Sequence, residues 1–243
     1  MVPRFFVPDL AGARDVAQLP ADEAHHLLKV LRLRPGDRVQ VFDGRGVEWR
    51  ARVHSADRSG ATVSLLEPVE PRRPSVELTL VQAVLKGEAM DEVVRDCTMV
   101  GVASIRPILS AHTTVKASTM AMAPERWRRI ALAAAKQCGA SRLPAIDSVV
   151  SFDQCVGHGP FQSAFVLVEP AVASAPLRIR QLAARAVPKE AMLFVGPEGG
   201  WTEDERDRAI AAGCTPLSLG ALTLRAEAVP LAAAAALLAV WDE

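Results

Sequence analysis

Between Val195 and Glu205 the chain reads Val-Gly-Pro-Glu-Gly-Gly-Trp-Thr-Glu-Asp-Glu, an apolar run that enters a helix across a glycine-rich loop. Gly196, Gly199 and Gly200 carry no side chain and Pro197 has a fixed φ, so main-chain groups here can approach a ligand closely. Thr202 with Glu205 three residues later forms a capping box, and Gly213 suits the far end of the helix. The lone carboxylate of the loop, Glu198, sits where a helix N-terminus favours negative charge, which suits contact with a ligand and bracing of the loop equally. A second loop follows at Ser218, Leu219, Gly220, Leu222 and Leu224, ahead of Arg225 and Glu227. Two such loops side by side would read the edge of a heterocycle with backbone groups while the leucines cover its faces. Arg225 and Glu227 are the charged residues near such a pocket, although they also fit the start of the last helix, with Glu227 favourable at its N-terminus and Arg225 exposed. Neither G-x-G-x-x-G nor G-x-x-x-x-G-K-S/T occurs, which argues against ordinary dinucleotide and P-loop triphosphate binding.

The elements that must position these loops are legible in the spacing. Strand-like runs at 76–81, 104–108, 164–168, 191–195 and 215–219 alternate with helical patterns at 88–100, 124–138, 177–186 and 203–212 and a final helix ending at Trp241. This alternation predicts an α/β domain with a parallel sheet, whose carboxyl edge is where both loops emerge. Upstream, three prolines within 68–74 make a stiff connector. We place the domain boundary there, giving 1–72 and 73–243. The first part has β-type runs at 38–42, 46–53 and 61–66 separated by Asp43-Gly44 and Ser59-Gly60 turns, preceded by a helix over 21–31, which predicts a small barrel-like domain.

Composition narrows the class. Of 243 residues, 50% are hydrophobic and 23% charged, with 28 basic and 28 acidic side chains, which fits a globular chain rather than a disordered or fibrous one. No net field draws it to nucleic acid or to an anionic membrane, so any phosphate-binding surface must be local. Residues 28–58 hold such an excess, eight basic against four acidic, and arginine suits bidentate phosphate contacts. The longest apolar run, 228–241, is too short to span a membrane. The N-terminus has no apolar leader core, so a cytoplasmic location and no membrane partner are expected. Cys97, Cys138, Cys155 and Cys214 lie far apart with no C-x-x-C pair, which predicts reduced thiols and no metal site. His25 and His26 point about 100° apart on a helix and cannot share a face; His112 has only its loop position in its favour.

Gly196-Pro197-Glu198-Gly199-Gly200, Ser218-Leu219-Gly220 and Leu224-Arg225-Ala226-Glu227 together resemble the SPOUT methyltransferases, specifically the RsmE-type enzymes that methylate uridine N3 in small-subunit ribosomal RNA. The likeness extends to His25-His26-Leu27, Pro35-Gly36-Asp37 and Phe42-Asp43-Gly44 in the first part, and to Lys86-Gly87, Ile105-Arg106-Pro107 and Gln137-Cys138-Gly139 in the second. It implies a PUA-like RNA-binding domain and an α/β domain with a C-terminal trefoil knot, a feature periodicity cannot reveal. It further implies S-adenosyl-L-methionine as cofactor, 16S ribosomal RNA or the small ribosomal subunit as partner, and a homodimer. On this resemblance Gly196, Pro197, Glu198, Gly199, Gly200, Ser218, Leu219, Gly220, Leu222 and Leu224 bind the cofactor, Arg225 and Glu198 are the catalytic candidates, and Arg4, Lys29, Arg32, Arg34 and Lys86 contact RNA phosphates. Met99, Ala111, Ala140, Ala226 and Ala228 stand where the family pattern has polar or charged residues. These departures keep two alternatives open: a non-catalytic assembly factor on the same fold, and the same chemistry at another RNA site.

Overall fold

The computed structural model describes residues 2–169 and 176–242. The chain forms two compact units, one of residues 1–73 with 132–143 and one of residues 74–131 with 144–243.

In the first unit, β1 (Arg4–Phe6), β2 (Val16–Gln18), β3 (Arg38–Phe42), β4 (Glu48–Asp57) and β5 (Gly60–Pro68) form one sheet in the order β1-β3-β4-β5-β2. The β3–β4 turn is set by Asp43, whose carboxylate accepts from the main chain of Arg45 (2.7 Å) and Val47 (3.0 Å). Alternate residues Val39 and Val41, with Phe5, Leu27, Val53 and Val63, fill the core of this unit. The segment expected as one helix over 21–31 is a short α-helix, α1 (Ala21–His25), that continues as a π-wound turn at His26–Val30.

Arg4 corrects an expectation. The resemblance places it on RNA phosphates, but its side chain is 5% exposed and its guanidinium makes four hydrogen bonds inside this unit. Its Nε and Nη2 donate to Glu48 Oε1 at 3.2 and 3.0 Å, and Nη1 and Nη2 donate to the carbonyls of Ala135 and Ala140 at 2.7 and 3.2 Å. The same group stacks 4.6 Å over the Phe42 ring. A group buried this deeply presents almost no surface to RNA.

The second unit contains β6 (Glu77–Ala83), α2 (Ala89–Met99), β7 (Ser104–Leu109), α3 (Ala123–Cys138), whose latter half belongs to the first unit, β8 (Ala145–Ile146), β9 (Val150–Ser151) and α4 (Phe152–Val156). β10 (Ala164–Leu167), β11 (Leu177–Arg178), β12 (Glu190–Val195), α5 (Glu203–Ala211), β13 (Cys214–Ser218) and α6 (Ala228–Trp241) complete it. The strands pair in parallel in the order β11-β13-β10-β12-β6-β7-β8, with β9 also on β7. Such a sheet needs apolar residues on both faces, and the strands supply them. Leu78, Leu80, Ala191, Leu193 and Val195 join α2 and α6 in one core. Their neighbours Val81, Ala83 and Phe194 join α4 and α5 in another. The sheet is therefore a layer between helices.

The spacing predicts a helix over 177–186. These residues form β11 and then a 3₁₀ turn, Ile179–Ala184, with Leu182 buried. Pairing of Leu177 with Leu217 and Arg178 with Ser218 extends the sheet at its open edge. That tertiary pairing outweighs a weak local helix preference, since short helices are marginal without a packed face.

Candidate functional site

β13, β10 and β12 lie side by side, so the segments leaving their carboxyl ends converge. They line a cavity of about 350 Å³. Gly196, Pro197, Glu198, Gly199 and Gly200 of the first loop and Ser218, Leu219, Gly220, Leu222 and Leu224 of the second all contribute to its wall. Leu167 at the end of β10 and Val168 and Glu169 beyond it, with Val195, Trp201, Arg206, Thr223, Ala226 and Val229, complete it.

The glycine loop is held from several sides. Thr202 caps α5 through its hydroxyl, which accepts from Glu205 N at 3.1 Å, while Glu205 Oε2 accepts in return from Thr202 N at 3.0 Å. The other oxygen of the buried Glu205 accepts from Ala111 N at 2.7 Å, tying a second loop to the helix start. Trp201 Nε1 donates to the Leu167 carbonyl at 3.1 Å, and its ring packs on Phe152. Gln82, fully buried at the end of β6, donates through Nε2 to the Gly196 carbonyl at 3.4 Å. Gly200 has φ +67°, a conformation that side chains disfavour. Gly199 has no room for one: a Cβ there would lie 2.9 Å from His112 Cβ.

The charged residues separate. Glu198 is exposed, and its Oε1 accepts from Lys86 N at 3.1 Å, so the carboxylate braces the loop that follows β6. Arg225 lies between two wall residues, Leu224 and Ala226, but is itself exposed and outside the lining set. Its carbonyl accepts from the main chain of Ala228 (3.0 Å) and Val229 (3.2 Å), which fixes the residue at the start of α6. Sequence reading missed Glu169 and Arg206, the two further charges on the cavity wall. Glu169 was findable as the residue just past a strand end on the carboxyl edge. Arg206 lies one turn into α5, four residues from the Thr202 cap, and its side chain is 15% exposed.

Lys29, Arg32 and Arg34 are exposed in the first unit, with Arg32 in the left-handed region at φ +54°. Lys86 is exposed in the second unit, and Arg4, as shown above, is buried. His25 is exposed and His26 packs edge-on to Phe5. Of the positions that depart from the family pattern, Ala226 is on the cavity wall and Ala140 lends its carbonyl to Arg4.

The cavity walls suit an adenosine bearing an amino acid. Leu219, Leu222, Leu224 and Val229 offer apolar cover, loop backbone offers hydrogen bonds, and Glu169 and Arg206 match an ammonium and a carboxylate.

Comparison with known proteins agrees with this make-up. An RNA methyltransferase domain model matches residues 72–238, and an RNA methyltransferase PUA domain model matches residues 19–66. The chain is 35% identical over 225 residues to Ribosomal RNA small subunit methyltransferase E of Synechocystis, covering 92% of this chain and 73% of that protein. It is 34% identical over 252 residues to the protein of the same name in Mycobacterium bovis, covering 98% and 93%. The Neisseria gonorrhoeae protein of that name, solved bound to S-adenosyl methionine, superposes with a TM-score of 0.87 at 29% identity, covering 99% of this chain and 98% of that one. With the model match spanning most of its length, the chain belongs to the RNA methyltransferase family, its mixed α/β fold comprising a PUA-like domain and a methyltransferase domain.

Proposed function

We propose that the protein uses S-adenosyl-L-methionine to methylate N3 of a uridine in 16S ribosomal RNA, with the small ribosomal subunit or its RNA as partner, in the cytoplasm. The observation that carries this reading is the single cavity into which both loops converge, together with the family match. The two domains are taken as 1–72 and 73–243, the first a PUA-like barrel and the second threaded into a C-terminal trefoil knot around the cavity loops, with the active form a homodimer.

Leu219, Leu222 and Leu224 would cover the adenine, the backbone of 196–200 and 218–220 would bind its edge and the ribose, and Glu169 and Arg206 would hold the amino-acid end. When bound, S-adenosyl-L-methionine supplies an electrophilic methyl on its sulfonium. Uridine N3 is protonated at neutral pH and lies on the Watson–Crick edge, so the target base is unpaired when it reacts. N3 must first give up its proton, to a base or to solvent water, which leaves negative charge on N3 and the uracil oxygens; that charge would be discharged as the N3–C bond forms and the bond between the methyl and sulfur breaks. Arg225, held at the cavity rim by its own main chain, stabilises that charge. Glu198 sets the loop geometry through Lys86 N rather than taking the proton. Lys29, Arg32, Arg34 and Lys86 position the RNA by its phosphates without reading its sequence.

The test is mass spectrometry of nucleosides from small-subunit RNA, free and in assembled subunits, after incubation with methyl-labelled cofactor. Label is expected as 3-methyluridine. Arg225→Ala should lower the rate by about 10²-fold or more while leaving cofactor affinity within twofold, the scale seen when one anion-stabilising donor is removed. Cofactor binding without any transfer would overturn the enzyme reading in favour of an assembly factor.

A further inference from the structure

A second cavity, of about 620 Å³, lies on the other side of the glycine loop and shares Glu198 and Gly199 with the first. Its wall is largely apolar in surface, with Ala111 and the stems of its neighbours, and carries the polar groups of Lys86, His112, Thr113 and Thr114 beside those two residues. The sheet order explains the juxtaposition. The first cavity sits over the ends of β13, β10 and β12, and the second over β12, β6 and β7, so one loop divides them.

His112 is the informative side chain. Its Nδ1 lies 2.9 Å from the Gly199 carbonyl and 3.1 Å from the Gly200 carbonyl. Carbonyl oxygens only accept, so Nδ1 carries the proton and donates to both. In the neutral ring the lone pair is then on Nε2, across the ring from the loop. The missing Cβ of Gly199 leaves room for the ring against the loop. Ala111 N is bound by Glu205, and the loop is closed by Ser110 N donating to Thr113 Oγ1 at 3.0 Å. The result is an exposed imidazole, tied to the glycine loop through Nδ1, on the same cavity wall as Lys86.

We propose that this second cavity seats the base of the acceptor nucleotide, with His112 Nε2 accepting the N3–H of uracil and Lys86 holding an adjoining phosphate. This assignment rests on the methyltransferase reading above and adds how the base is chosen. Uracil presents a donor at N3, whereas cytosine presents an acceptor there and 3-methyluridine presents neither. A ring whose tautomer is dictated by two carbonyls favours the first and rejects the other two. His112 is thus a specificity-determining residue, and the reacted product loses the contact that admitted the substrate.

The experiment uses the full chain with S-adenosylhomocysteine in the first cavity and ¹³C-labelled histidine, of which there are five. A short single-stranded RNA with one central uridine should shift the His112 ring signals. The same RNA with cytidine or 3-methyluridine should bind about three- to tenfold more weakly, the scale of one net hydrogen bond. His112→Asn keeps a donor near the Nδ1 position but has nothing at Nε2. It should hold S-adenosylhomocysteine affinity within twofold and bind the uridine and cytidine RNAs equally, a pattern that a purely structural role would not produce. An unmoved His112 signal at millimolar RNA, or an intact uridine preference in His112→Asn, overturns the proposal. Failure of the enzyme reading would be seen separately, as absent methyl transfer by the unmodified protein with the uridine response of His112 retained.

Discussion

Replacing Arg4 separates a structural role from an RNA-binding one. Arg4→Ala would remove both donors to Glu48, leaving a carboxylate that is 7% exposed without its cation. It would also strip the Ala135 and Ala140 carbonyls of their donor and remove the group stacked on Phe42. Breaking one side of a buried ion pair typically costs about 3–5 kcal/mol, because the remaining charge stays desolvated. In a chain of this size that lowers the melting temperature by roughly 10 °C. The companion variant, Arg4→Met with Glu48→Gln, removes both charges and should recover more than half of the loss. Circular dichroism during thermal and urea unfolding gives the stability. RNA affinity, measured well below the transition over a range of salt, should stay within twofold of the unmodified protein with an unchanged salt slope. A stability loss under about 1 kcal/mol, or a shallower salt slope with stability intact, would refute the burial reasoning and return Arg4 to the RNA surface.

Combined Lys29→Ala, Arg32→Ala and Arg34→Ala should behave in the opposite way, since all three side chains are exposed. Three lost phosphate contacts lower the slope of log affinity against log salt by about 2 on single-stranded RNA; an unchanged slope would exclude these residues as the contact surface. Alkali should destabilise the fold in a defined window. Burial pushes the Cys97 and Cys214 thiols up to about 12 from an ordinary 9.0, so above pH 9 the unfolded chain releases protons that the native state keeps. Stability is therefore full below pH 9 and falls as pH rises toward 12, by about 4 kcal/mol per thiol at the limit. Urea midpoints between pH 8 and 11 test the sign. Native-state alkylation at pH 8 should modify the exposed Cys138 and spare Cys97, Cys155 and Cys214.

The strands were legible where both faces of the sheet demand apolar residues. Runs such as Ala191 to Val195 and Ala164 to Leu167 have no polar interruption, and the Thr202 and Glu205 cap marks its helix through side chains three residues apart. What stayed hidden depends on partners distant in sequence. β11 exists because β13 offers an open edge, and nothing within 177–186 announces that edge. Arg4 reads as a surface cation until Glu48 and the carbonyls of Ala135 and Ala140 are brought to it, across as many as 136 positions of chain.

The candidate site divides along the same line. Its ten expected wall residues belong to two contiguous loops and could be read as motifs, because glycine and proline placement is a local backbone requirement. The supports that make the loop rigid come from elsewhere: Gln82 at the end of β6, the Leu167 carbonyl on β10, Lys86 N beyond β6, and His112 after β7. Each meets the loop through a main-chain group or a short-range contact whose partner is 34 to 114 residues away. Periodicity carries no trace of such pairings. Their combined effect is to fix the loop between two cavities before any ligand arrives, so binding on either side pays little ordering cost there. A loop so held can turn its backbone toward a cofactor on one side and, through His112, toward a base on the other.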